Sequence, residues 1–376
     1  MTRVPLVDLA AQEGTVVEDV LTAVANVARE GRFVLGPRVE AFERWLAEAC
    51  RSSHAVGVAS GTDAIELSLR ALGVGAGHAV VTPAFSFVAA AEAIAATGAR
   101  PVFCDIDSVT MNATGPTVSE AIERSRVAGL CVRAIVPVHL FGLCAPLGEL
   151  SSIARHERFV LVEDAAQAMG ALDEAGRAAG AVGDAGCFSF FPTKNLGAWG
   201  DGGAVVTSDD AVATRLRRLR AHGAVAPYVH AEFGRNSRLD ALQAAVLLAK
   251  AGHLGDWQRS RARIGERYVR ELTWFPLVLP RVPDPPAVHA WHAFVVRVPK
   301  GRDALSVWLR ERGVETRVYY PIPLHRQECF RGLEEPELPY AEEACRTALA
   351  IPMFPTMTDE QQTWVIAQIA EFFGGR

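Results

Sequence analysis

The chain has 376 residues, 50% hydrophobic and 22% charged, which suits one large α/β domain with a smaller one and excludes a disordered chain. The formal net charge is only −5 and the arginines are scattered among acids, which excludes a nucleic-acid-binding class. Because the sequence shows no signal-peptide core and no apolar run of about 18 residues, we expect a cytoplasmic protein with no membrane partner.

Helical periodicity precedes the first strand. We predict helices over 12–30 and 38–50, and then a short buried strand over 54–59. The tetrapeptide SGTD at 60–63 follows this strand and begins an apolar-periodic helix that ends at Leu72. Unpaired N–H groups and the positive dipole end at such a helix start can bind a phosphate. An ordinary N-cap is the alternative interpretation.

Strands and helices then alternate along the chain. The predicted strands are 79–83, 101–105, 134–139, 159–164 and 203–207, with helices over 86–97, 117–124, 146–156 and 210–222. Continuous apolar strands that alternate with helices predict a mostly parallel sheet covered on both faces. Ligands of such sheets bind at the carboxyl ends of the strands. His139, Asp164 and Lys194 each come directly after an apolar run.

A proline-rich stretch over 274–287 marks a domain boundary. We predict a large domain over 1–255, a linking helix and linker over 256–285, and a small α+β domain over 286–376. The small domain would contain strands 292–298 and 314–319, helix 303–312 and two later helices. The seven cysteines form no CxxC pair and no zinc spacing, so we expect buried free thiols and no metal site.

Lys194 lies in the glycine-rich segment 183–203 and is one of only three lysines among 38 Lys and Arg residues. A lysine in a partly desolvated pocket can lose its proton and attack an aldehyde, which arginine cannot do. The glycines around it would let the backbone approach a ligand. Lys250, at a helix end, and Lys300, in a turn, fit ordinary surface lysines.

Asp164 ends the strand FVLVED, in which Glu163 and Asp164 point to opposite sides. One carboxylate can face a ligand while the other meets solvent or a helix end. A buried aspartate there would pair with a protonated ring nitrogen and keep the ring electron-withdrawing. A helix N-cap is the alternative. A phosphate cradle, a strand-end aspartate and a downstream lysine together indicate a site for pyridoxal 5'-phosphate.

Eight motifs lie in the same order as in a known family: PLVDL (5–9), GRFVLGP (31–37), SGTDA (60–64), TPAFSFVA (82–89), PVHLFG (137–142), EDAAQA (163–168), GDAGCFSFFPTKNLGAWGDGG (183–203) and NSRLDALQAA (236–245). The chain thereby resembles the DegT/DnrJ/EryC1/StrS family of sugar aminotransferases, which depend on pyridoxal 5'-phosphate. The resemblance implies fold type I, with a large domain whose mostly parallel central sheet is flanked by helices and a small C-terminal α+β domain.

The resemblance also implies roles for the matching cofactor-site residues. Lys194 would form a Schiff base with the cofactor, Asp164 would pair with the pyridinium nitrogen, and Gln167 would lie near the ring hydroxyl. Phe87 would stack on the ring, although a core phenylalanine is the alternative. Three residues of one subunit would bind the phosphate: Gly61, Thr62 and Ser189. Asn236 of the second copy would reach the same phosphate across a homodimer interface.

On the substrate side, the segment YYPIPLH resembles the part of the small domain that overhangs the site, with Tyr319, Tyr320 and His325. Arg238 could meet an anionic group of the substrate. Two positions depart from the family pattern, since relatives often have histidine where this chain has Met169 and Tyr319. Both departures bear on substrate identity.

The resemblance implies transfer of an amino group from L-glutamate to a nucleotide-linked keto sugar at C3 or C4, in amino-sugar biosynthesis. The segment NSRLDALQAAVLLAK favours C3. A cyclitol-ketone aminotransferase or an aminohydroxybenzoate synthase is the alternative enzyme. A cofactor-binding regulator without catalysis is the alternative class, which Lys194 and Asp164 disfavour. Lys194 also argues against the dehydratase branch, in which histidine replaces the lysine.

Overall fold

The structure is a computed structural model that describes residues 3–333 and 336–374. It begins with three helices, α1 (Leu9–Gly14), α2 (Val17–Glu30) and α3 (Pro37–Cys50). The predicted helix over 12–30 is therefore two helices, because the chain turns at residues 15 and 16. Asp8 caps α1 by accepting a hydrogen bond from the N–H of Ala11.

A seven-stranded sheet forms the centre of the large domain. Its strands are β1 (His54–Val58), β2 (Ala79–Pro83), β3 (Arg100–Cys104), β4 (Val132–Ile135), β5 (Val160–Asp164), β6 (Ala185–Ser189) and β7 (Gly203–Thr207). They lie in the order β1-β7-β6-β5-β4-β2-β3. Only β7 runs antiparallel to its neighbours. The prediction of a mostly parallel sheet is confirmed.

Helices cover both faces of this sheet: α4 (Gly61–Ala71), α5 (Ala89–Ala96), α6 (Gly115–Val127), α7 (Leu147–Glu157), α8 (Asp210–Leu219) and α9 (Ala241–Ala251). Every residue of β2 and β7 is buried, because helices cover both faces of the sheet. This burial explains why the two strands are mostly apolar without an alternating polar face. One apolar cluster joins Val56, Leu67 and Val162 on one face. A second joins Phe42, Phe190 and Val206 on the other.

The strand β6 was not predicted, because its sequence AGCFS lies in a glycine-rich segment with weak β propensity. It pairs in parallel with β5, with Asp164 opposite Cys187. It also pairs antiparallel with β7. This strand places Ser189 at its carboxyl end and starts the turn that carries Lys194.

The C-terminal part contains α10 (Leu254–Leu272), β10 (Phe294–Arg297), α11 (Arg302–Glu311), α12 (Pro339–Thr347), β11 (Ala348–Ile351) and α13 (Asp359–Phe372). The predicted strand over 314–319 is wrong, since this stretch makes only isolated bridges, Val4 to Val314 and Arg317 to Ala350. The actual partner of β10 is β11, which the sequence did not indicate. The domain boundaries at 255 and 285 stay a prediction.

The loop between α8 and α9 forms a small hairpin of β8 (Ala224–Ala226) and β9 (Val229–His230). Its large apolar side chains face solvent, with Tyr228 98% exposed and Phe233 94% exposed. Within the described ranges, no helix combines the length and the apolar character that crossing a membrane requires.

Candidate active site

Lys194 lies in the turn between β6 and β7, where its backbone N–H donates to the carbonyl oxygen of Phe191 at 2.8 Å. Its side chain is half-buried. Desolvation lowers the pKa of Lys194 to about 8, and the negative charge of Asp164 acts in the opposite direction. About one tenth of this amine is therefore neutral at pH 7, far more than of an ordinary lysine, and a neutral amine is a nucleophile and a base.

Asp164 is buried at the carboxyl end of β5. Its Oδ1 accepts a hydrogen bond from the N–H of Ala166 at 3.0 Å. Burial raises the pKa of Asp164, while the Ala166 N–H and the charges of Lys194 and His139 lower it. No described residue donates to Oδ2, so this oxygen can accept a bond from a protonated ring nitrogen.

Glu163 was expected to meet solvent or a helix end, and this expectation is wrong. The residue is 0% exposed. Its carboxylate accepts from the N–H groups of Gly180 at 2.7 Å, Val182 at 2.7 Å and Gly183 at 2.6 Å. It also accepts from Nε2 of His139 at 2.8 Å, because Nδ1 of that ring accepts from Ala145. Glu163 thus fixes the loop that leads into β6.

The start of α4 and the end of β6 lie against each other. The side chain of Ser60 caps the N–H of Asp63 at 3.1 Å. The N–H groups of Gly61 and Thr62 in the same first turn have no acceptor among the described residues. A Cβ on Gly61 would lie 2.7 Å from Cβ of Ser189, so only glycine fits there. This cradle of two N–H groups and one hydroxyl fits a phosphate.

Phe87 is 57% exposed, which excludes the alternative of a core phenylalanine. Its ring lies 6.3 Å from that of Tyr320. Gln167 connects Tyr320 to the turn after β4. Its Oε1 accepts a hydrogen bond from the N–H of Phe141 at 2.7 Å, and its Nε2 donates to the Tyr320 hydroxyl at 3.2 Å. The predicted roles of Phe87 and Gln167 stay predictions.

The other predicted site residues are less closely grouped. His325 is buried, with Nε2 3.1 Å from Oε1 of Glu342 and its ring 6.5 Å from that of Phe103. Tyr319 is half-buried beside Tyr320. Asn236 is exposed at the end of the hairpin loop. The half-buried Arg238 has no hydrogen bond or ion pair among the described residues, and Met169 is buried in an apolar cluster.

Lys250 is not a surface lysine, so the prediction for it is wrong. It is 0% exposed at the end of α9. Its Nζ forms an ion pair with Glu13 and donates to the carbonyl oxygen of Gly197 at 2.6 Å. Nε1 of Trp199 donates to the same glutamate at 2.7 Å. These contacts hold the loop that follows Lys194, whereas Lys300 is exposed as expected.

The seven cysteines are free. Cys131 and Cys329 are exposed and Cys144 is half-buried, so the expectation of buried thiols holds only for the remaining four. Across the described part of the chain, no three His, Cys, Asp or Glu side chains group closely enough to hold a metal ion.

Comparison with known proteins agrees with this fold. Residues 15–370 match the DegT/DnrJ/EryC1/StrS aminotransferase family. The chain is 42% identical over 376 residues to the Pleiotropic regulatory protein of Geobacillus stearothermophilus, covering 99% of both chains. It is 40% identical over 369 residues to the UDP-N-acetyl-3-dehydro-alpha-D-glucosamine 3-aminotransferase of Acidithiobacillus ferrooxidans, covering 98% of this chain and 96% of the relative.

Two solved structures extend the comparison. DesV of S. venezuelae, in complex with a ketimine intermediate, has a TM-score of 0.94 at 40% identity, with 99% of both chains covered. NtdA of Bacillus subtilis, with the bound cofactor PMP, has a TM-score of 0.90 at 30% identity, covering 100% of this chain and 86% of that chain. The fold and site define an aminotransferase of fold type I. The chain belongs to the DegT/DnrJ/EryC1/StrS aminotransferase family, as the motifs predicted.

Proposed function

We propose that the protein is a pyridoxal 5'-phosphate-dependent aminotransferase that transfers the amino group of L-glutamate to C3 or C4 of a nucleotide-linked keto sugar, with C3 favoured. The observation that carries this proposal is the geometry at the carboxyl edge of the sheet. A lysine with a pKa lowered to about 8 lies near a buried aspartate that has an open oxygen. The 3-aminotransferase relative and the PMP-bound neighbour support the substrate class and the cofactor.

The residues present fit this cofactor. When bound, pyridoxal 5'-phosphate supplies an electron-withdrawing ring that stabilises negative charge at the α-carbon of the amino donor. Gly61, Thr62 and Ser189 would hold its phosphate, because the close contact of Gly61 with Ser189 forms the cradle. Oδ2 of Asp164 would accept the ring N–H. The exposed face of Phe87 would pack against the ring.

Lys194 has two tasks in the proposed reaction. Its neutral amine would hold the cofactor covalently, by condensing with the aldehyde carbon and releasing the aldehyde oxygen as water. With the donor amine bound in its place, the freed Nζ would accept the proton from the α-carbon of the donor and release it again as a general acid, so that the proton passes from the donor to the cofactor. A pKa near 8 suits both transfers, because the group can accept and release a proton at physiological pH.

We also propose a homodimer with shared sites. The hairpin between α8 and α9 exposes Tyr228 and Phe233, which is unusual for a surface with no partner. Asn236 lies at the end of the same loop and would reach the phosphate site of the second copy. Analytical ultracentrifugation should find a dimer, and the Phe233→Asp variant should shift it toward monomer. A wild-type monomer that is fully active would contradict the dimer.

The absorbance spectrum before and after addition of L-glutamate tests the function. We expect a yellow band from lysine-bound cofactor that bleaches in the wild type, with no such band in Lys194→Ala. A colourless protein that stays colourless with added cofactor would contradict the proposal. Incubation with UDP- or dTDP-linked 3-keto and 4-keto sugars, with scyllo-inosose alongside, identifies the acceptor by mass spectrometry of the aminated product.

The name of the Geobacillus relative supports a second candidate, a regulatory protein that binds the cofactor without catalysis. This candidate predicts a yellow band that no amino donor bleaches. A complete half-reaction with glutamate would exclude it.

A further inference from the structure

Asn195, the residue after Lys194, is fixed by a segment that is distant in sequence. Its side chain is 3% exposed. Nδ2 of Asn195 donates to the carbonyl oxygen of Ala290 at 2.6 Å, and Oδ1 lies 3.2 Å from Nδ1 of His292. Both partners belong to residues 288–293, which we term the crossover segment because it leads from the linker to β10. The turn that carries Lys194 is therefore attached to this segment.

These contacts determine the tautomer of His292. The Ala290 carbonyl oxygen can only accept, so the amide nitrogen of Asn195 faces it and Oδ1 faces the imidazole. Because Oδ1 can only accept, Nδ1 of His292 carries the proton. Nε2 is then an unprotonated acceptor in the neutral ring, and no described residue donates to it.

The crossover segment is held on two sides. The N–H of His292 donates to the carbonyl oxygen of Phe141 at 2.9 Å. At Gly142, with φ +103, a Cβ would lie 3.0 Å from the backbone nitrogen of Trp291, so the segment lies directly on this turn. From α10, the buried Arg261 donates to the carbonyl oxygen of Trp291 at 3.1 Å. Because these contacts fix the crossover segment, it is a rigid hydrogen-bond partner for Asn195.

The charged groups around this contact keep the His292 ring neutral. Burial lowers the pKa of His292 well below its ordinary value, and the positive charges of Lys194 and Arg261 lower it further. Asp164 faces Lys194 from the end of β5. Two further groups face Asp164: His139, in the turn after β4, and Tyr320, in the C-terminal part. A neutral ring can donate from Nδ1 without placing a second positive charge beside the lysine.

We propose that His292 is a positioning residue for Lys194 that acts through Asn195. The Nδ1–H bond holds the Asn195 amide, and the amide holds the turn that keeps Lys194 partly out of water. Without this donor the amide can rotate and the turn can open to solvent. The proposal rests on the proposed role of Lys194 as the lysine that binds the cofactor.

Competitive acetylation of the full chain, freed of cofactor, tests this proposal. Peptide mass spectrometry reports the pH midpoint of labelling for each of the three lysines, and the exposed Lys300 serves as the internal reference. The wild-type midpoint for Lys194 should lie near 8. In His292→Phe it should rise by about one pH unit toward the ordinary lysine value, because water enters the turn. His292→Asn, which keeps an amide donor, should stay near the wild type.

Two further variants separate positioning from general packing. His289→Phe alters the same segment, because the rings of His289 and Trp291 stack with centroids 3.9 Å apart. Among the described residues His289 forms no hydrogen bond to Asn195, so the midpoint should not move. Asn195→Ala also removes the bond to Ala290, so its shift should be at least as large as that of His292→Phe, and the double variant should shift no further than Asn195→Ala alone.

An unchanged midpoint in His292→Phe, or a His292 effect that persists in the Asn195→Ala background, would overturn the proposal. Circular dichroism checks folding, and if His292→Phe does not fold, an unchanged midpoint in Asn195→Ala has the same consequence. Because the labelling uses no cofactor, its outcome is separate from that of the proposed function. Failure of the function would appear as an absent absorbance band instead.

Discussion

Two lysines that burial partly or wholly desolvates, the half-buried Lys194 and the buried Lys250, lie in or against the loop that follows β6, and they differ in their partners. Lys250 pairs with the carboxylate of Glu13 and with the carbonyl oxygen of Gly197. Lys194 has no hydrogen bond from its amine to any described residue, and Asp164 acts on it only through its charge. Burial lowers the pKa of both groups, but Glu13 opposes the effect at Lys250. Desolvation alone therefore does not make a reactive lysine; the lack of a direct acidic partner is also required.

The largest expected effect is that of Lys194→Ala. Turnover should fall on the order of 10⁴-fold or more, because the nucleophile and the proton carrier are lost together. The fold should persist, since the half-buried side chain donates no hydrogen bond to any residue that the structure describes. The measurement is steady-state transamination with circular dichroism as the folding check. Activity within tenfold of the wild type would show that the two lysines do not differ as proposed.

Asp164→Asn comes next, with an expected loss of turnover of about 10²–10³-fold, because an amide cannot keep the ring nitrogen protonated. The same change should lower the labelling midpoint of Lys194 below 8, since the Asp164 charge stabilises the ammonium form. Kinetics and acetylation of one preparation measure both effects. A midpoint that rises would show that the carboxylate does not act on this lysine.

The rate at which cofactor-free protein binds pyridoxal 5'-phosphate should depend on pH. The attacking amine must be neutral, and the pKa of Lys194 is lowered to about 8. The rate should therefore rise about tenfold for each pH unit below 8 and level off above it. Stopped-flow absorbance measures the rate of band formation. A rate that continues to rise toward pH 10 would indicate an ordinary, solvated lysine.

The smallest expected effect concerns stability and not chemistry. Lys250→Met should lower the free energy of unfolding by about 2 kcal/mol, because it leaves the carboxylate of Glu13 without its cation. Loss of the bond to Gly197 should also loosen the loop after Lys194. Lys300→Met, at an exposed position, is the matched control and should change stability by less than about 0.5 kcal/mol. Urea denaturation followed by fluorescence compares the two variants.

Much of the site could be predicted because its parts follow local patterns. The strand that ends at Asp164 and the helix that begins at Gly61 were both found from apolar periodicity and from the residues that flank it. The collinear motifs predicted the family correctly. The strand β6 was missed because glycine and cysteine give little β signal, and β11 was missed because its sequence ALAI continues directly from a helix.

The contacts that could not be predicted join distant parts of the chain. Glu163 was expected to meet solvent or a helix end, and only the docking of the loop at 180–183 shows that it is buried. Lys250 was expected at the surface, and its partner Glu13 lies 237 residues earlier. The bond between Asn195 and His292 spans 97 residues. No periodicity within one helix or strand reports contacts at such separations.

The sequence by itself determined the alternating strands and helices, the position of Lys194 and Asp164 after apolar runs, and the aminotransferase family, because these properties depend on neighbouring residues or on collinear motifs. Only the tertiary structure decided which lysine has a direct carboxylate partner and which segment supports the turn of Lys194. Burial and pairing depend on how distant segments pack, and the pKa of a lysine depends on both.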